Sequence, residues 1–326
     1  MSGLRWGILS TAHIARTQAV PAMLEAADAE IVAVGSRSLE RAKAFATEFD
    51  IPRAHSSYEA LLEDPDVDAV YIGLPNSLHR DWTIAAARAG KHVLCEKPIA
   101  RTAADAELMV HACREAGVVL MEAFMWRHHA QQARVRELLD SDAIGAPVSV
   151  NADFTYRIDP ERPNVRLQAD LEGGSLMDVG CYPVNLARWV FADEPLEAVG
   201  RQHVDPDFGV ETSFGGVLRF PEGRLAMVDS SFAQLPMNRY EIAGTEGRIV
   251  VERAFRPDDQ PGRITVFRGT DQTVEDVPPA NQFAYEADHF AASVRAGRLL
   301  PPAEDGVAQA RVIDALYASA SGSERR

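Results

Sequence analysis

The sequence predicts an α/β chain in two parts. Residues 1–123 read as an N-terminal doubly wound parallel sheet, and residues 124–326 as a C-terminal α+β domain on a large, mostly antiparallel sheet. Three observations lead there. A length of 326 residues suits two domains. The first third alternates short apolar runs with helical patterns, the mark of βαβ units. The remainder strings strand-like runs on short turns, the mark of antiparallel pairing.

In order, LRWGILS (4–10) reads as a buried strand, 14–26 as a helix, EIVAVGS (30–36) as a strand and 39–49 as an amphipathic helix. VDAVYIGL (67–74) is the next strand. The helix from His79 to Ala89 ends at Gly90, a good residue just past a helix. HVLCEKP (92–98), a helix from Thr102 to Ala116 closed by Gly117, and VVLMEAF (118–124) complete the parallel part. Beyond it, 149–156, 216–220, 224–233, 239–244, 247–252 and 263–268 read as strands, and 178–190 and 306–320 as helices. No internal repeat or low-complexity tract interrupts them.

Composition narrows the function classes. A net charge of −15 argues against nucleic acid as a partner. No apolar run approaches the roughly 20 residues that span a bilayer, and the start MSGLRWGIL carries no signal-peptide pattern. Three cysteines without a CxxC spacing fit a reducing compartment, so a cytoplasmic protein is expected. Only Lys43, Lys91 and Lys97 occur among 33 basic residues. A codon bias toward arginine explains that pattern for the whole chain. A lysine retained against it is a candidate for chemistry that guanidinium cannot do.

The turn after the first strand, Ser10-Thr11-Ala12-His13-Ile14-Ala15, stands where a dinucleotide-binding Rossmann domain puts a glycine-rich turn. Small residues, Ser10 and Ala12, replace two glycines, so the motif is weak by itself and gains from its place between strand and helix. The second strand ends Gly35-Ser36-Arg37-Ser38, with Arg41 one turn on and no carboxylate before Glu40. An acidic residue there would bond the ribose hydroxyls of NAD. Arginine and serines suit the 2′-phosphate of NADP, the cofactor expected. The alternative is that Arg37 is a solvated loop residue.

Several blocks then carry a family resemblance. AGKHVLCEKP (89–98), GLPNSLH (73–79), LMEAFMWR (120–127) and EGGSLMDVGCYPVN (172–185) resemble, in this order, the Gfo/Idh/MocA (glucose–fructose oxidoreductase) family. Asp178-Val179-Gly180-Cys181-Tyr182 is similar to its subgroup of dimeric dihydrodiol dehydrogenases and NADP-dependent D-xylose dehydrogenases. His129-Ala130 departs from the relatives, which often place proline there. The resemblance implies an NADP(H)-dependent sugar or polyol dehydrogenase, with trans-dihydrodiol dehydrogenase and a non-catalytic NADP sensor as alternatives. It implies a cis Pro98 and catalytic Lys97 and Tyr182, with Asp178 as lysine holder, substrate contact or helix cap. It also implies cofactor contacts at Ser10, Thr11, Ala12, Ile14, Ser36, Arg37, Ser38, Arg41, Leu74, Asn76, His79, Glu96, Lys97 and Arg166. Trp126, Phe154, Asp178 and Tyr182 are the expected substrate contacts.

The chemistry suits those residue types. Hydride transfer from a carbinol needs a base for the hydroxyl proton and a cation for the developing oxyanion. A tyrosine titrates near pH 10 when free, and a nearby ammonium lowers that. Each residue also has a plain structural alternative: Lys97 as a surface ion pair, Tyr182 as a core aromatic, Asp178 as a cap. His128-His129 lacks a companion carboxylate motif, so no metal is expected. The alternation Leu225-Ala226-Met227-Val228 with Phe232 predicts an apolar sheet face and at least a dimer.

Overall fold

The computed structural model describes residues 3–257, 260–299 and 301–321. The chain forms two compact units, Met1–Met125 with Asn281–Val307, and Trp126–Ala280 with Ala308–Arg326. Residues 281–307 therefore cluster with the first unit, although the sequence had put all of 124–326 in the second domain.

The first unit is built on strands β1 (Leu4–Leu9), β2 (Ala29–Gly35), β3 (Arg53–His55), β4 (Ala69–Ile72), β5 (His92–Glu96) and β6 (Leu120–Ala123). They are all parallel, in the order β3-β2-β1-β4-β5-β6, the doubly wound dinucleotide-binding order. The sheet is enclosed, so β4 is buried along its whole length. Helices α1 (Val20–Glu25), α2 (Leu39–Glu48), α3 (Tyr58–Leu62), α4 (His79–Arg88) and α5 (Ala103–Ala116) connect the strands. Their starts are written locally: Ser38, Ser57 and Thr102 accept N–H bonds from Arg41, Ala60 and Asp105. Gly117 closes α5 at φ +68°.

The second unit begins with α6 (Ala130–Asp140). Its sheet holds β7 (Pro147–Thr155), β8 (Glu197–Val204), β9 (Glu211–Arg219), β10 (Leu225–Ser231), β11 (Met237–Gly244), β12 (Arg248–Glu252), β13 (Gly262–Arg268) and β14 (Asp271–Val277). The order is β14-β13-β12-β11-β7-β10-β9-β8. Every pair is antiparallel except β7 with β10. A parallel pair needs a long crossover, and here it carries α7 (Cys181–Phe191), which packs on β7 and β10. The opposite face is open. Val199, Val217, Met227 and Val274 lie on one row across it, with Leu225 on the next row, and all five are exposed. Phe232, expected on that face, is instead buried in a cluster with Ile158, Leu167, Val179 and Val210.

Helix α8 (Gln282–Ala296) returns the chain to the first unit. Phe290 packs 5.0 Å from Trp6, the Asp28 N–H donates to Asp288, and Arg295 pairs with Asp28. Helix α9 (Glu304–Ser321) ends the described chain. Among the described residues, no helix is long and apolar enough to cross a membrane, and no cluster of three or more His, Cys, Asp or Glu could hold a metal. All three cysteines are buried and none is in a disulfide, with burial pushing the Cys113 thiol up to about 12.

Candidate active site

In the first unit the turn after β1 places Ser10 at φ +113°, a backbone region that suits glycine. Such a residue costs about 1–3 kcal/mol unless its surroundings hold it. Here the Ser10 Oγ accepts from the Ala12 N–H at 3.0 Å and bonds the Gly73 carbonyl at 3.2 Å. The serine thus replaces glycine's conformational freedom with two hydrogen bonds, and they tie the β1 turn to the segment leaving β4. Thr11, Ala12 and Ile14 are half-buried beside it, and the following helix opens with a π-helical turn, Ala15–Ala19.

At the exit of β2, Ser36 is buried and its Oγ accepts from the Ser38 N–H at 3.3 Å. Ser38 in turn caps α2 through the Arg41 N–H. Arg37 and Arg41 are exposed, and burial raises the Tyr58 pKa against the opposing effect of the Arg37 charge. After β4, Leu74 is buried and Asn76 starts a short 3₁₀ turn.

His79 requires a correction. It was expected at the nicotinamide, but it is fully buried, with Nδ1 3.0 Å from the Pro98 carbonyl and Nε2 2.9 Å from the Leu74 carbonyl. Burial depresses its basicity. It braces the segment after β5 and has no surface left for a ligand. That segment holds half-buried Lys97, joined to Pro98 by a cis peptide bond. Glu96, just before it, accepts from the Tyr71 hydroxyl at 2.7 Å.

In the second unit, Tyr182 lies in the first turn of α7, 4% exposed. A π-helical turn, Leu176–Gly180, precedes it and carries Asp178. Such turns are rare and concentrate at functional sites. Gly174 shapes its approach at φ +120°, where a Cβ would meet the Glu211 carboxylate at 2.3 Å. That carboxylate accepts from the Leu176 N–H at 2.9 Å. Asp178 Oδ2 accepts from the Tyr156 hydroxyl at 2.6 Å and pairs with Arg166 Nε at 2.8 Å. Asp178 raises the Arg166 pKa, with smaller contributions from Tyr156 and Tyr182. Arg166, expected among the cofactor contacts, is therefore engaged with Asp178, and its positive charge is felt at Tyr182.

An aromatic wall stands beside Tyr182. Phe154 meets it edge-on at 5.2 Å, and Phe154 and Phe255 stack at 5.5 Å. Trp126, expected to stack on a substrate, is wholly buried against Trp189 and Phe255, each 5.6 Å away, and is a core residue. Arg127 donates to Asn185 at 2.8 Å. His129 caps α6 by accepting the Gln131 N–H at 3.0 Å, so the helix starts at Ala130 without a proline. Tyr156 and Phe255 were not singled out from the sequence. Tyr156 closes the predicted strand 149–156, and nothing local marks its hydroxyl as the partner of a carboxylate 22 residues away.

Comparison with known proteins covers nearly the whole chain. Residues 4–124 match the oxidoreductase family with an NAD-binding Rossmann fold, and residues 132–250 match the GFO/IDH/MocA C-terminal domain. The chain is 40% identical over 319 residues to D-xylose 1-dehydrogenase (NADP(+)) 2 of Haloferax volcanii, covering 97% of each. It is 32% identical over 295 residues to trans-1,2-dihydrobenzene-1,2-diol dehydrogenase of Xenopus tropicalis, covering 87% of each. Its fold is similar to that of a 3-ketoreductase from Actinomadura kijaniata solved in complex with NADP and TDP-benzene, with a TM-score of 0.91, 35% identity and 98% of each chain covered. With a six-stranded nucleotide-type sheet, an eight-stranded second sheet and these matches along its length, the chain belongs to the Gfo/Idh/MocA family of oxidoreductases.

Proposed function

We propose that the chain is an NADP(H)-dependent oxidoreductase acting on a CH–OH or carbonyl group of a sugar, an aldose such as D-xylose or D-glucose, or a cyclic polyol. The observation that carries this reading is the setting of Tyr182: a phenol beside the Phe154–Phe255 wall, with the Asp178–Arg166 pair supplying charge next to it.

The donor set of the first unit fits a dinucleotide bearing a 2′-phosphate. The β1 turn offers backbone N–H groups at a helix start, and the exit of β2 offers Ser36, Arg37, Ser38 and Arg41 with no carboxylate before Glu40. Leu74, Asn76 and Glu96 are assigned to its nicotinamide side. When bound, NADP supplies the hydride acceptor or donor. The chain's own residues do the rest. Tyr182 takes or returns the hydroxyl proton at its Oη, and Lys97 is the cation that favours tyrosinate and the developing oxyanion. Arg166 reinforces that charge. Asp178, held by Tyr156 and Arg166, is a fixed acceptor for a substrate hydroxyl, and Phe154 gives the substrate an apolar surface. A second reading, trans-dihydrodiol dehydrogenase, is favoured by the stacked Phe154–Phe255 pair, which suits a flat ring. Lys97 and Tyr182 together argue against a non-catalytic sensor.

The deciding experiment is a screen of aldoses, polyols and dihydrodiols with NADP⁺ and NAD⁺. NADP⁺-dependent turnover of an aldose supports the main reading, turnover of dihydrodiols alone supports the second, and tight NADP⁺ binding without turnover supports the sensor. The open face at Val199, Val217, Leu225, Met227 and Val274 is assigned to self-association into a dimer or higher oligomer. Light scattering is expected to give at least twice the monomer mass, and Met227→Asp should lower it; a monomer at micromolar concentration refutes the assignment. Buried cysteines outside any disulfide suit a cytoplasmic protein.

A further inference from the structure

We propose that Glu211 is a positioning residue for the acid/base: its carboxylate, reaching from the first residue of β9, sets the start of the helical segment that carries Asp178 and Tyr182. This rests on the reading of Tyr182 above. The first N–H groups of a helix have no partner inside it and need one from outside. The usual partner is a short polar residue just before the helix. Ser175 stands there but makes no such bond. It is buried, its Oγ lies 3.2 Å from the Ser230 Oγ, and it donates to the Ser230 carbonyl at 3.4 Å. The serine is thus turned toward β10, and Glu211 supplies the cap in its place.

Two donors meet one oxygen of Glu211. Its Oε1 accepts from the Leu176 N–H at 2.9 Å and from the hydroxyl of Tyr317, on α9, at 2.8 Å. Glu211 is 5% exposed, and the Tyr317 ring stands edge-on to Phe214 of β9 at 5.9 Å. A carboxylate also suits the positive end of the helix dipole. The strands leave the turn little play: a Cβ on Gly174 would run into the carboxylate, and one on Gly180 would lie 2.8 Å from the Ser230 Oγ. Leu176 precedes Asp178 by two residues and Tyr182 by six. Anchoring its N–H therefore fixes where both side chains stand relative to the sheet, and with them the place of Tyr182 beside the Asp178–Arg166 pair.

The pH–rate profile of single-turnover hydride transfer tests this, at saturating cofactor and with the substrate that the screen above identifies. Glu211→Ala should slow the step by about 10- to 100-fold, the penalty of misplacing a reacting group by up to about 1 Å. It should also move the basic limb up by about half a pH unit or more, because a displaced tyrosinate loses part of its cationic setting. Tyr317→Phe keeps the ring on Phe214 and removes one donor. It should slow the step by about 2- to 10-fold and move the limb the same way, and it carries the test if the alanine variant does not fold. In the Glu211→Ala background it should cost nothing further, because its effect passes through Glu211. Glu211→Gln, whose amide oxygen can take both bonds, should stay within about 3-fold of wild type. A cap that served stability alone would lower Tm and leave the limb in place. A limb unmoved in both Glu211→Ala and Tyr317→Phe overturns the inference, and so does a glutamine variant as slow as the alanine one. No turnover of any substrate, or a wild-type limb that survives Tyr182→Phe, removes the reading of Tyr182 and this inference with it. A limb that Tyr182→Phe abolishes but Glu211→Ala and Tyr317→Phe leave unmoved overturns this inference alone.

Discussion

Tyr156→Phe isolates one bond in the site. The substitution deletes the hydroxyl that donates to Asp178 Oδ2 at 2.6 Å and leaves the ring where it packs on Phe232, 5.4 Å between centroids. Little apolar contact is lost, so the cost is that of the bond. Hydrogen bonds to charged groups contribute about 1.5–3 kcal/mol. Asp178 keeps its pairing with Arg166, whose side chain is 42% exposed and therefore partly screened, so the carboxylate is not stranded. The lower end applies, about 1.5 kcal/mol, which for a unit of 150–250 residues corresponds to a fall in Tm of about 3–6 °C. Freed from Tyr156, Asp178 should swing toward Arg166, and kcat should drop several-fold. Scanning calorimetry and steady-state kinetics on the same preparation read both effects. A Tm within about 1 °C of wild type, together with unchanged kcat, would mean that Tyr156 does not hold Asp178.

Glu286→Gln tests a buried charge in α8. Glu286 is 3% exposed, and burial, with the nearby Glu96 carboxylate, holds its carboxyl well above the usual range. The folded chain thus keeps a proton that the unfolded chain releases above about pH 4.3. Stability from this group is present below that pH and declines as pH rises toward the folded pKa. Glutamine has no proton to lose, so the Tm advantage of Glu286→Gln should widen from about pH 5 to about pH 8. Calorimetric scans of both chains across that range measure it, and a constant difference would refute the buried-acid account.

Much of this architecture is legible in the sequence, for reasons that differ by element. The parallel strands are continuous apolar runs because both faces of their sheet are covered, and the helices between them carry Ser or Thr caps and closing glycines. β8 and β14 are edge strands. β14, DQTVEDV, buries none of its seven residues, so no alternation betrays it. α8 went unread although its signals are present: Asn281 caps it, Gly297 closes it at φ +64°, and Phe283, Ala287, Phe290 and Ala291 line one face. Its return to the first unit depends on Trp6 and Asp28, more than 250 residues earlier, and no local pattern announces that.

The site divides the same way. Ser10, Ser36, Arg37, Lys97, Asp178 and Tyr182 are marked by their blocks; Ser10, Ser36, Arg37 and Lys97 fall just past the ends of β1, β2 and β5, and Asp178 and Tyr182 in the turns that open α7. His79 and Trp126 misled because a motif fixes a residue's identity and not its exposure. Here the imidazole lies buried between two carbonyls, donating to one of them, and the indole packs in the aromatic core. Tyr156 was missed because its role lies in the partner that tertiary structure gives it.

The central claim, that Tyr182 is the acid/base of a hydride transfer, is tested most directly by single-turnover kinetics at saturating cofactor. The comparison is wild type against Tyr182→Phe, Lys97→Met and the double variant, with NADP(H) affinity measured alongside. Acid–base catalysis contributes about 10²–10⁴-fold, so each single variant should slow hydride transfer by that order. Affinity for NADP(H) should be nearly intact in Tyr182→Phe, and the double variant should lose far less than the product of the singles, because the two residues serve one step. Turnover near wild type in Tyr182→Phe would remove Tyr182 from the chemistry and contradict the account.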